Sequence, residues 1–273
     1  MICKYMIITK ADLHTHSNFS DGSDSVTHII DIAKAKGLDA IAITDHDTMS
    51  HILQFPDDAE IKVIGGVEVS AFDPSANIRA HILGYNIAEP EIITELTQPL
   101  LEERNRNSER QADILIRLGY TIDLHQITRA GGKYLYKQHI MDWLVSTGQV
   151  TEMFGGFYQE TFKNGGVCDF DVHYINACDA VRAIKKAGGL AVLAHPGQQR
   201  NFRIIPELIR RGLDGLELNH HSNSDKDKAA IRDLAGRYGL FLTGGSDYHG
   251  KYESRKIGDF LSEESGTKAI CGM

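Results

Sequence analysis

AIAITDHDT, residues 40–48, joins five apolar or β-branched residues directly to Asp45, His46 and Asp47. A run this short and this uniformly apolar reads as a strand covered on both faces, the pattern of a parallel sheet in an α/β protein. Its metal-type side chains then fall at the C-terminal end of the strand. The same unit recurs along the chain. YMIIT (5–9) leads into ADLHTHSNFSDGSD (11–24), with His14, His16 and Asp21; KVIGGVEV (62–69) carries Glu68; AHILGY (80–85) carries His81. LAVLAH (190–195) ends on His195, GLELN (215–219) is followed by His220 and His221, and LFLTGG (240–245) runs into GSDYHG, with Asp247 and His249.

Amphipathic stretches separate several of these runs: 25–36, 175–186, 204–211 and 224–238, each stopping at or near a glycine as helices do. Alternating strand and helix predicts a parallel α/β arrangement, and seven such runs predict a closed or nearly closed barrel. A dinucleotide-binding sheet is the rival, but no GxGxxG follows a strand. The alternation breaks between about Glu89 and Asp169. There the pattern predicts helices over 98–120 and 137–150 and a Gly-interrupted aromatic segment over 153–167. The expected organisation is a barrel domain of residues 1–88 and 169–273 with a small helical insertion, 89–168, acting as a lid over a pocket rather than as decoration.

With 42% hydrophobic and 24% charged residues, the 273-residue chain has the composition of a folded globular protein, which excludes wholesale disorder. A net charge of −8 argues against a surface that coats nucleic acid, so an anionic ligand must be held locally. Cys3, Cys168, Cys178 and Cys271 form no CxxC pair and read as structural thiols of a reducing compartment. No leader or membrane span is expected, since no window approaches the ~20 apolar residues a bilayer requires. The expected location is the cytoplasm.

A single histidine at a strand end is usually a hydrogen-bonding residue. Six histidines (14, 16, 46, 81, 195, 249) and three carboxylates (21, 68, 247) aimed at one mouth are different. Without metal they would place charges and desolvated imidazoles together at a cost of several kcal/mol. Imidazole and carboxylate without thiolate suit Zn²⁺, Mn²⁺ or Fe²⁺, and nine ligands exceed the needs of one ion, so two or three ions are expected. Such a centre activates water near neutral pH and clamps phosphoryl oxygens.

The motifs DLHTHSNFSDG, ITDHDT, GVEVSA, the His of HILGY, LAHPG and GGSDYHG resemble, in order and spacing, those of the PHP (polymerase and histidinol phosphatase) family within the amidohydrolase-like hydrolases. The resemblance spans nearly the whole chain. It is strongest to stand-alone phosphoesterases with a helical insertion, which include 3′,5′-nucleoside bisphosphate phosphatases and 5′-to-3′ RNA exonucleases. It implies a distorted (β/α)7 barrel and three metal sites: His14, His16, Glu68 and Asp247; Glu68, His81 and His195; and Asp21, His46 and His249. It also implies hydrolysis of a phosphomonoester or terminal phosphodiester of a nucleotide or short RNA 5′ end by metal-bridging hydroxide.

His195 and His220 are the catalytic candidates, with His221 a rival to His220. Arg104, Lys137, His139 and His220 are candidates for phosphate binding, and Arg106 is a further one. Relatives carry an Arg-Pro-His-like stretch where this chain reads Lys137, Gln138 and His139, and Lys lacks the bidentate fork of Arg. FGGFY and Tyr136 suit base stacking or core packing. His28, His51, His125 and His173 are left without a role. The other functions considered are a histidinol-phosphate-type phosphatase, an amidohydrolase acting on C–N bonds, and a non-catalytic metal-stabilised scaffold. No obligate protein partner is expected.

Overall fold

A computed structural model describes residues 8–127 and 134–272. The strands are β1 (Ala11–Asp12), β2 (Ala40–Ile43), β3 (Lys62–Asp73), β4 (Ile78–Tyr85), β5 (Ile175–Asn176), β6 (Leu190–Leu193), β7 (Gly215–Asn219) and β8 (Phe241–Gly244). The helices are α1 (Val26–Ala35), α2 (Pro90–Arg117), α3 (Lys137–Ser146), α4 (Gly156–Phe162), α5 (Ala177–Lys186), α6 (Pro196–Gln199), α7 (Ile205–Arg210), α8 (Asp225–Tyr238) and α9 (Glu264–Cys271). One sheet runs β1-β2-β3-β4-β6-β7-β8, with short β5 beside β3. Its ends meet: the Leu13 N–H donates to the Gly244 carbonyl at 3.1 Å and the Asp247 N–H to the His14 carbonyl at 2.8 Å, so the sheet closes into a distorted barrel. Of the first apolar run, residues 5–7 lie outside the described residues, and β1 begins at Ala11.

The wholly parallel reading fails at β4, which runs antiparallel to both β3 and β6. The reason is a tight turn. Asp73 accepts hydrogen bonds from the Ser75 hydroxyl (2.6 Å) and the Ala76 N–H (2.9 Å), and Asn77 takes a left-handed conformation at φ 49°. So short a link leaves no room for a crossover helix, and the strands must form a hairpin. His81 therefore sits near the start of β4, opposite Ser70, and reversal of the strand delivers it to the rim where β1, β2 and β6 present their C-terminal ends.

Alternation along the strands divides the core. Leu13, Ala40, Ala42, Leu83, Tyr85 and Val192 share a cluster inside the barrel, which α9 closes with Ile270 and Cys271. Val67, Ile82, Leu193, Leu216 and Leu218 point outward against α5, α7 and α8. Each such aliphatic side chain contributes about 1.5–3 kcal/mol when fully buried, against ~1 kcal/mol for a typical hydrogen bond. The barrel thus stands on its core and not on its rim.

Helix α2 is longer than expected: it starts at Pro90, a good first-turn residue, and continues through Pro99. Ile93 in its first half packs on the barrel, while Ala112 and Leu115 in its second half join Ile140, Leu144, Tyr158 and Phe162 of α3 and α4 in a separate apolar cluster. No described helix is long and apolar enough to cross a membrane.

Candidate metal centre

His14 and His16, on alternate positions after β1, point the same way and bring their Nε2 atoms to 3.1 Å. Glu68 Oε2 lies 3.3 and 3.2 Å from these two nitrogens, and Asp247 Oδ1 lies 3.5 and 3.2 Å away. These four ligand atoms fall within 4.8 Å of one another and are all buried. The other oxygen of Glu68, Oε1, is 2.9 Å from both His81 Nδ1 and His195 Nε2. Glu68 thus faces two ligand sets, one through each oxygen.

Beside them, His16, Asp21, His46 and His249 form a further group within the same 4.8 Å limit. Asp21 Oδ1 is 3.4 Å from His249 Nε2, and Asp21 Oδ2 is 3.9 Å from His46 Nε2. Buried atoms without a hydrogen-bond partner include His16 Nδ1, Asp21 Oδ1 and His46 Nδ1. Polar atoms buried in this way cost free energy unless something pairs with them, and all three are metal donors. All nine residues expected as ligands meet at one mouth.

The backbone is shaped to achieve this. Gly22 packs against the His16 carbonyl and Gly245 against the His14 backbone, where a Cβ would collide. That explains the glycines of SDG and TGGSD. His195 (φ 26°), Asp47 (φ 60°) and Asp247 (φ 52°) adopt left-handed backbone conformations that ordinary residues seldom accept. Such strain concentrates at functional sites.

Charges on the cluster are interdependent. Burial disfavours a charged His14, but Glu217, Glu68 and Asp247 outweigh it and hold its pKa well above the histidine range. His16 rises to about 10 in the same way, against burial, through Asp247 and Glu68. Burial also works against ionised Asp21, Glu68 and Asp247, and the surrounding imidazoles overcome it and pull all three well below the usual carboxylate range. At His46 burial, helped by His16 and His81, prevails over Glu68 and Asp21 and drives the pKa down to about 4. The set prefers anionic carboxylates surrounded by positive charge, which divalent ions supply more directly than protons do.

Sequence reasoning missed Glu217. Its Oε1 pairs with His14 Nδ1 at 2.9 Å and its Oε2 accepts the His195 N–H at 2.8 Å, so one carboxylate orients two ligand residues. The signal was there, since a lone acid inside the apolar run GLELN has to face a partner. Asp45, one of the metal-type side chains after β2, serves instead as a brace. It accepts from the Ser17 N–H and from the Ser17 and Ser20 hydroxyls, and His51, left without a role, lies 3.0 Å away. This ties down the loop that ends at Asp21. Arg255 carried no sequence signal and donates to the Asp247 carbonyl at 3.1 Å.

The other candidates are placed as follows. His220 is buried, with Nδ1 2.7 Å from the Ser222 hydroxyl and Nε2 3.3 Å from Asp247 Oδ2; burial pushes its pKa below the histidine range. His221 is exposed and bonded to Arg255 at 3.1 Å. Arg104 and Lys137 line a small open cleft together with Tyr136, Gln138, Phe170 and Asp171. Arg104 is held there by Asp47 (2.8 Å) and the Ser70 hydroxyl (3.1 Å), over the ring of Tyr136. His139 lies elsewhere: its Nδ1 accepts the Tyr136 N–H at 3.2 Å, capping α3, and it lines neighbouring hollows with Asp142 rather than this cleft. Tyr158 and Phe162 of the aromatic segment are buried in the cluster of α3 and α4.

A barrel with a His- and carboxylate-rich rim beside a cationic cleft defines a metal-dependent phosphoester hydrolase. The PHP domain pattern matches residues 12–150, and the chain belongs to the PHP family. It is 41% identical to the phosphoribosyl 1,2-cyclic phosphate 1,2-diphosphodiesterase of Eggerthella lenta, covering 88% of this chain and 94% of that one. It is 31% identical to the 3′,5′-nucleoside bisphosphate phosphatase of Chromobacterium violaceum, covering 90% of each. A solved structure from Bifidobacterium adolescentis, described as a metal-dependent phosphoesterase, superposes with a TM-score of 0.85 over 95% of this chain and 94% of that one at 26% identity.

Proposed function

We propose that the protein hydrolyses a phosphoester of a small ribose-based substrate carrying two phosphoryl groups. The observation that carries this reading is the contiguity of the ligand cluster with the cleft: Gln138, which lines the cleft, donates to Asp21 Oδ2 at 2.7 Å. One phosphoryl group would sit at the cluster while Arg104 and Lys137 grip the other. The two named relatives fit this common denominator, since a phosphoribosyl cyclic phosphate and a nucleoside bisphosphate both place two phosphoryl groups on one ribose.

Up to three divalent ions are proposed, in the sets His14, His16, Glu68 and Asp247; Glu68, His81 and His195; and Asp21, His46 and His249. When bound, they supply Lewis acidity that activates water and neutralises phosphoryl oxygens. The protein's own share is geometric. Glu68 spaces two ligand sets, Glu217 fixes the rings of His14 and the backbone of His195, and His220 offers its Nε2 beside Asp247 for a phosphoryl oxygen. Residues 89–168 serve as the lid, holding the distal phosphate and limiting the length of substrate that fits.

The test is a comparison of kcat/KM in Mn²⁺ for phosphoribosyl 1,2-cyclic phosphate, a 3′,5′-nucleoside bisphosphate, a 5′-phosphorylated oligoribonucleotide and a panel of amides. The doubly phosphorylated ribose compounds should lead, and chelator should abolish turnover. Preference for the oligonucleotide would move the reading to RNA ends. Amide cleavage without phosphate release would overturn it.

A further inference from the structure

The three ligand-bearing loops of the Asp21, His46 and His249 group share a property. Each is braced by a side chain of the 89–168 segment. Gln138 donates to Asp21 Oδ2 at 2.7 Å. The Tyr136 hydroxyl donates to the His46 carbonyl at 3.0 Å, and Arg104 holds the carboxylate of the next residue, Asp47, whose backbone is left-handed. Asp142 pairs with Lys251 at 2.7 Å and accepts the Tyr252 hydroxyl at 3.3 Å, on the loop that carries His249. Gln138 and Asp142 come from one helix, α3, and Tyr136 is its N-cap.

The barrel holds these loops as well, through Asp45 with Ser17 and Ser20, Asp47 with Ser70, and the Ser23 N–H on the His249 carbonyl, whereas the neighbouring ligands rest on the barrel alone. Glu68 and His81 stand on paired strands, β3 and β4. His14 and the His195 backbone are oriented by Glu217 of β7, and Asp247 by His220 and Arg255. All of these supports come from the barrel.

We infer that α3 and its N-cap residue act as a clamp that sets the affinity of the Asp21, His46 and His249 site, which makes that ion the last to bind and the first to be lost. The physical basis is ordering. Three loops must be held in one geometry before their donors converge, and a ligand set that has to be ordered on binding gives up affinity to the entropy of that ordering. Bracing groups remove this cost beforehand, and loss of such an outer partner typically weakens metal binding by about 10–100-fold. Tyr136, Gln138 and Asp142 are thus positioning residues, acting through the loops and not on substrate. The clamp also joins the two parts of the active site, because Tyr136 and Gln138 line the cleft as well.

The inference rests on the metal-centre reading above, and metal stoichiometry separates the two. The full-length protein and its Tyr136→Phe plus Gln138→Ala variant are dialysed against graded free Mn²⁺ and the bound metal is counted by mass spectrometry, with far-UV dichroism of the chelated proteins as the folding control. The variant should keep the tightly held equivalents and lose the weakest at free Mn²⁺ concentrations about tenfold or more above those at which the parent loses it. Asp142→Asn, isosteric and remote from the cleft's Arg104, should shift the same equivalent and decides the matter if the double variant does not fold. Glu217→Gln should shift a different equivalent. Superimposable curves for the parent and the clamp variants, or a uniform loss of every equivalent, would overturn the clamp and leave the metal reading in place. A parent that takes up no ion would defeat both.

Discussion

The two halves of the proposed metal centre are built from the same residue types by different means. Around Glu68, the ligands are carried by paired strands or tied to the barrel by Glu217 and Arg255, so the barrel alone places them. Around Asp21, the ligands stand on three loops that rest partly on the barrel and partly on α3 and its N-cap, a separately packed layer. The lesson concerns rigidity. A strand in a closed sheet holds a ligand through its backbone hydrogen bonds, whereas a loop holds one only as well as the body it rests on.

The largest effect should come from the residue at the centre of the strand-borne half. Glu68→Ala removes both oxygens that face the two ligand sets, so turnover should fall by several orders of magnitude and more than one equivalent of metal should be lost. A variant retaining the parent's metal content would show that Glu68 does not bridge. Asp21→Ala and His249→Ala strike only the loop-borne half. Each should lose one equivalent and reduce kcat by more than about 100-fold, the scale set by removing one electrostatic stabiliser of a transition state. Their chelated forms should unfold at the parent's temperature, because the core inside the barrel does not reach these side chains.

Glu217→Gln probes the strand-borne half without removing a ligand. It keeps the shape and weakens the acceptor of His14 and His195, so metal affinity should drop by about 10–100-fold while kcat returns at saturating metal. If kcat stays low in excess Mn²⁺, Glu217 has a role beyond orienting its partners.

The smallest effect concerns the cleft. Burial lowers the Lys137 pKa from the ordinary 10.5 to about 8; Lys163, Arg104 and Arg79 push it the same way and Asp171 opposes them. Lys137 is therefore charged below pH 8 and loses its charge as pH rises through that value, so its hold on phosphate is present at pH 7 and mostly gone at pH 9. KM for a doubly phosphorylated substrate should rise by roughly tenfold over that range, the worth of one charge-assisted hydrogen bond. The Lys137→Arg variant should flatten this rise, and an unchanged KM in the parent would remove Lys137 from the substrate site.

Much of this protein is legible in one dimension because strand ends and their ligands are neighbours in sequence. AIAIT followed by DHD, LAVLA followed by His195, and the His14 and His16 pair after β1 each place chemistry next to the apolar run that positions it. Helix ends were legible for a similar reason: Ser25 and Ser224 cap α1 and α8 by accepting N–H groups three residues on. The direction of β4 was harder, since an apolar run looks alike in either sense, and only the Asp73 to Asn77 turn betrays the hairpin. The start of α2 was misplaced because Pro99 reads as a boundary while the helix in fact tolerates it.

What the sequence determined by itself was the set of strand-and-ligand units, the identity of the nine converging residues and the α/β class, because each rests on contacts between residues close together in the chain. What only the tertiary structure decided was which oxygen of Glu68 faces which histidines, that Glu217 reaches His14 across 203 positions, and that α3 and its N-cap residue bear on three separate loops. Those relations depend on the closure of the barrel and the seat of α3 and α4 beside it. Distance along a chain carries no information about them until the hydrophobic core has brought the segments together.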